Sequence, residues 1–123
     1  MRDIECVDDN ELLNLQKKGV KIIDIRTKME WEMTGIIEGS VLLTFFDERG
    51  AYDMESWLKE FENIVKNKDE KFVLVCAHAN RTKVVGNFLR DKLGYKNVLE
   101  LCGGIEYGWH KTNLTPYITS SAL

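Results

Sequence analysis

Proline is almost missing from this 123-residue chain, with Pro116 its single example, so no stretch reads as a Pro-rich linker. No internal repeat or low-complexity tract divides it either. One domain over residues 1–123 is therefore expected, with its core at about 4–112 and a short tail at 113–123. Basic charge is not in excess: 17 Lys and Arg face 20 Asp and Glu, for a net charge of −3. That excludes the positive field a nucleic acid partner requires. No apolar run approaches the roughly 20 residues that span a bilayer, so no membrane partner is expected. Residues 1–6 lack the apolar segment of a secretion signal. Cysteine is sparse, at three scattered positions, Cys6, Cys76 and Cys102. An odd, unpatterned set suits reduced thiols in the cytoplasm better than a disulfide framework, and the cytoplasm is the expected compartment. The cysteines and the two histidines, His78 and His110, show no C-x-x-C or H-x-x-x-H spacing, so neither a metal nor another cofactor is expected.

What is present is organised around residues 72–89. Four apolar residues, Phe72 to Val75, run straight into Cys76, and a helical apolar pattern begins a few residues later. A buried strand thus passes to a helix through one tight loop. There, backbone N–H groups lack ladder partners and the helix dipole presents its positive end, so an anion is stabilised. A thiolate at Cys76 is such an anion, and Arg81 favours it further. Cysteine is more often a small buried hydrophobe. The strand end, the small Ala77 and Ala79, and the polar His78, Asn80, Arg81 and Thr82 point instead to a reactive group.

The other elements follow from local signals. Ile4 to Val7 reads as an edge strand. Asp8 and Glu11 have the spacing that opens a helix, which Gly19 closes. Lys21 to Arg26 reads as a strand, and Thr27 with Glu30 opens a second helix that runs through Trp31 and Met33 to Gly35. Val41 to Leu43 is a short strand, residues 44–53 a loop with two exposed aromatics, Phe45 and Phe46, and Asp53 a cap. Met54, Trp57, Leu58, Phe61, Ile64 and Val65 recur at helical steps as a core stripe. Val84, Val85, Phe88, Leu89 and Leu93 form the buried face of the next helix, and Tyr95 to Leu101 the last strand. Alternating strands and helices imply βαβ units, hence an α/β three-layer sandwich around a mostly parallel five-stranded sheet. Ligands bind beyond the carboxyl ends of such strands, where Cys76 falls.

Cys76-x-x-x-x-Arg81-Thr82 resembles the active loop of the rhodanese-like sulfurtransferases, Cys-x-x-Gly-x-Arg-Ser/Thr, in which the Cys carries a persulfide. Asp24 and Arg26, Glu30 with Trp31, and Gly35, Ile37 and Gly39 are similar to the family's N-terminal signature, with Ile36 at its His and Ser40 at its Ala. Leu101, Gly103, Gly104 and Trp109 match its final Leu-x-Gly-Gly and Trp. The resemblance covers most of the chain and implies the rhodanese-like sandwich. Ala79 stands at the family Gly; if that position needs φ > 0, the alanine is strained. Ala77 stands where many members carry a basic residue.

The resemblance implies sulfur transfer through Cys76, with Ala77, His78, Ala79, Asn80, Arg81 and Thr82 binding the anion and Asp24 and Arg26 in structural support. The partners it implies are a small-molecule sulfur donor, thiosulfate or a persulfide, and a thiol or cyanide acceptor, with a protein donor or carrier as a further candidate. Two rivals belong to other classes. A phosphatase or arsenate reductase of this fold has five residues between Cys and Arg, whereas four stand here. A binding or regulatory module usually loses the Cys. Cys102, at the end of a strand next to that of Cys76, is a candidate to take sulfur from Cys76 or to close a disulfide with it, although a small buried cysteine before a Gly-Gly turn is the plainer reading.

Overall fold

The computed structural model describes residues 2–110 and 113–118. In chain order its elements are β1 (Glu5–Val7), α1 (Asp9–Lys17), β2 (Lys21–Asp24), α2 (Lys28–Thr34), β3 (Ile36–Ile37), β4 (Val41–Leu42), α3 (Met54–Ile64), β5 (Phe72–Val75), α4 (Arg81–Asp91), β6 (Val98–Leu101), α5 (Gly104–Gly108) and β7 (Leu114–Thr115). Five strands form one sheet in the order β1-β6-β5-β2-β4, and every pairing in it is parallel. The strand that delivers Cys76 is the central one.

The helix starts are set by local chemistry. Asp8 and Asp53 accept from the amides of Glu11 and Ser56, and Thr27 with Glu30 makes a reciprocal capping box. Each satisfies amides that the first turn leaves without partners.

The pleat then divides the apolar residues between two layers. Phe72, Leu74 and Cys76 pack with Trp57, Phe61, Val85 and Leu89 on the side of α3 and α4. Val73 and Val75 pack with Leu12, Ile105 and Trp109 on the side of α1 and α5. Both faces of β5 are covered, as its unbroken apolar sequence requires.

Several expectations change. Phe45 is buried, not exposed; it stacks on Tyr52 and meets the edge of Trp57. Val84 is 61% exposed, because a helix beginning at Arg81 turns it away from the sheet. Leu114 and Thr115, within the stretch read as a tail, pair antiparallel with Ile37 and Ile36. The cysteines are not all reduced thiols: Cys6 of β1 forms a disulfide with Cys102, the residue that follows the adjacent strand β6. Cys102 is therefore not the disulfide partner of Cys76. Among the described residues no helix is long and apolar enough to cross a membrane.

Candidate active site

Cys76 follows the last residue of β5 and is the free, buried thiol. The Ile25 amide donates to the Val75 oxygen at 2.9 Å, so the sheet bonding reaches the residue before Cys76, and the loop turns beyond it. The carbonyls of Cys76 and Ala77 accept from the amides of Ile105 and Glu106, each at 2.9 Å. The peptide bonds are trans, and in a trans unit the N–H opposes the preceding carbonyl. The amides of Ala77 and His78 consequently point away from α5. Gly104 permits this approach: a Cβ there would lie 2.5 Å from the Ala77 oxygen and 2.6 Å from that of Cys76.

Ala79 has φ +62°, the left-handed conformation in which a side chain crowds the carbonyl. The position does require φ > 0, so the alanine in place of the family glycine is held at a cost. Part of what holds it is Lys83, whose Nζ donates to the Ala79 oxygen at 2.9 Å. His78 is exposed and lies against the ring of Tyr107, 5.1 Å between centroids. Asn80 precedes α4 with no side-chain cap.

Arg81 opens α4 and turns its guanidinium to Glu30, with bonds of 2.8 and 2.7 Å to the two carboxylate oxygens. Burial alone would raise the Glu30 carboxyl, but the Arg81 hydrogen bond and charge, with the hydrogen bonds from Thr27 added, outweigh it and hold the group below its usual range. Arg81 is in turn held more firmly protonated, first by the hydrogen bond to Glu30, with the charges of Glu30, Cys76 and Asp24 adding. The fixed cation is thus within electrostatic reach of the candidate thiolate. Thr82 is buried and its Oγ1 lies 3.5 Å from Cys76 Sγ.

Asp24 and Arg26 do not enter this loop. Arg26 Nη2 and Nε bond the Asp24 carboxylate at 2.9–3.1 Å, and the guanidinium also donates to Thr34 Oγ1 and the Gly35 oxygen. The buried pair joins the end of β2 to the end of α2. Its geometry is that of a brace, with every polar atom used inside the fold.

Three residues of the site escaped sequence reasoning. Glu30 was accounted for as a capping residue, which hid its second bond to Arg81. Glu100, only 1% exposed, accepts from Thr82 Oγ1 and pairs with Lys83 Nζ at 2.8 Å. The signal for Glu100 was available: it is a lone carboxylate inside Val98 to Leu101, a run otherwise apolar. Lys83 gave no signal of its own. Among the described residues no cluster of three or more His, Cys, Asp or Glu could hold a metal ion.

Comparison with known proteins bears on the family and the fold. The rhodanese-like domain family matches residues 8–112, and the chain belongs to that family. A rhodanese-like domain protein from Staphylococcus aureus is similar in structure, with TM-score 0.66 and 26% identity over 94% of this chain and 100% of that one. A protein of unknown function from Rhodopseudomonas palustris, described as a possible tyrosine phosphatase, has TM-score 0.66 and 28% identity over 93% and 85% of the two chains. A rhodanese-related protein from Thermoplasma volcanium has TM-score 0.58 and 26% identity over 83% and 87%. Among curated proteins nothing matches the chain.

Proposed function

We propose that the protein is a sulfurtransferase that carries sulfane sulfur on Cys76. The observation that carries this reading is a free thiol at the carboxyl end of the central strand, in a loop of four residues closed by Arg81. With thiosulfate, the Cys76 thiolate attacks the outer sulfur; the S–S bond of the donor breaks and sulfite leaves with its electron pair. With a persulfide donor the leaving group is the donor thiol. Cyanide then takes the outer sulfur as thiocyanate, or a thiol takes it as a new persulfide, and Cys76 returns as thiolate. The amides of the loop from Ala77 to Thr82 and the charge of Arg81 would stabilise the persulfide anion between the two half-reactions. A shallow depression lined by Phe46, Asp47, Asn80, Arg81 and Val84 opens beside the loop and offers room for a donor or a carrier.

A four-residue loop favours this reading over a phosphatase, whose loop must surround a tetrahedral oxyanion. A regulatory module is the second reading, favoured by the 1% exposure of Cys76. Intact mass after incubation with thiosulfate, and separately with a low-molecular-weight persulfide, tests the proposal. We expect a gain of one sulfur that cyanide removes and that Cys76→Ser lacks. No gain from either donor refutes sulfur transfer and favours the module.

A further inference from the structure

Glu100 is a buried carboxylate that the scheme above does not use. It sits on β6 with Leu74 of β5 on one side and Cys6 of β1, closed in its disulfide, on the other. Its two oxygens have separate partners: Oε1 accepts from Thr82 Oγ1, and Oε2 meets Lys83 Nζ. Thr82 Oγ1 also lies 3.5 Å from Cys76 Sγ. A hydroxyl has one hydrogen and two lone pairs. While Glu100 is ionised it takes that hydrogen, so Thr82 offers Cys76 only a lone pair and the hydrogen between them belongs to sulfur.

We propose that Glu100 is the positioning residue for Cys76, acting through Thr82 as the acceptor of the thiol proton; this rests on the sulfur-transfer reading for its purpose, though not for its chemistry. The Cys76 proton passes to Thr82 Oγ1 as the Thr82 proton passes to Glu100 Oε1. The S–H and old O–H bonds break, two O–H bonds form, and the negative charge moves from Glu100 to sulfur. Thr82 now donates to the thiolate, and after sulfur loading to the inner sulfur of the persulfide. Lys83, with Nζ on both Glu100 and the Ala79 oxygen, ties this carboxylate to the strained turn of the loop. The remaining charged groups nearby are already paired: Arg81 with Glu30 of α2, and Arg26 with Asp24 at the end of β2.

A shared proton leaves a signature. Two coupled groups lose their protons in two macroscopic steps, and between those steps the thiolate is partly populated at a level independent of pH. The ultraviolet absorbance of the thiolate, read against Cys76→Ser, reports this without needing access to the buried sulfur. We expect two steps in the wild type and one step in Glu100→Gln, where the thiolate falls about tenfold per pH unit on the acid side. Thr82→Val, which keeps the carboxylate and removes the hydroxyl, should also give one step. A single step in the wild type overturns the proposal, whether or not the variants displace it, as do two steps that survive both substitutions. Sulfur gain from thiosulfate or a small persulfide, measured in parallel, separates the two ideas. Two steps without any gain would refute sulfur transfer alone.

Discussion

Replacing Gly104 by alanine tests the contact on which the loop depends. The new Cβ would meet the Ala77 oxygen at 2.5 Å and carbon at 2.6 Å, and the Cys76 oxygen at 2.6 Å. These are rigid backbone atoms at the end of the central strand, so α5 must retreat by something under about 1 Å to restore van der Waals separation. Such a retreat stretches the 2.9 Å bonds from Ile105 and Glu106 to the same two carbonyls. Two lost backbone bonds cost about 1–3 kcal/mol together. The φ of +66° adds about 1–2 kcal/mol for a residue with a side chain. The sum is about 2–5 kcal/mol, a large fraction of the stability of a small domain. Gly50 is the control, since its φ is +81° and nothing lies within 4 Å of a Cβ there. Gly50→Ala carries the conformational term alone. Urea denaturation should show Gly104→Ala lower than Gly50→Ala by about 1–3 kcal/mol, with unchanged m values. Equal losses in the two variants would mean that α5 does not rest on the loop carbonyls.

Two further outcomes can be checked on the same protein. Reducing the Cys6–Cys102 disulfide, which spans 96 residues, should lower stability by about 3–5 kcal/mol on the chain-entropy account; coincident denaturation curves with and without reductant would contradict it. Glu30 is held below its usual 4.5, so the stability it contributes is fully present above that value and is lost as pH falls through the lower folded value. Glu30→Gln keeps an acceptor for the capping box and should flatten this acid limb, by about 1 kcal/mol for a pair still partly open to solvent. An acid limb identical in the variant would show that the Arg81 bond does not lower Glu30.

The parts of the fold that were legible in the sequence are those governed by neighbours in the chain. Asp8, Thr27 and Asp53 announce helix starts because a cap reaches only three residues, and Phe72 to Val75 announces a strand buried on both faces. The loop from Cys76 to Thr82 was legible for the same reason. What was hidden depends on residues brought together from afar. Nothing local says that Arg81 will meet Glu30, 51 residues earlier, or that Cys6 will meet Cys102. The two-residue strands β3 and β7 are too short for any alternation to register. Val84 and Phe45 were misjudged because an apolar residue states a preference for burial but not the phase of its helix or the path of its loop.

The strand order has a consequence for how the chain is made. β1 is the first strand of the sheet to be synthesised, yet its neighbour in the sheet is β6, whose residues emerge about ninety positions later. Until then β1 has no ladder to join, and parallel pairings this remote are slow to form. From the moment Cys76 is made until Cys102 follows 26 residues later, the Cys6 thiol has Cys76 within the nascent chain and its own partner still to come. A premature bond between the first two would bind the edge strand to the central one and leave no place for β6 between them. In the folded chain the burial of Cys76 withholds it from that bond.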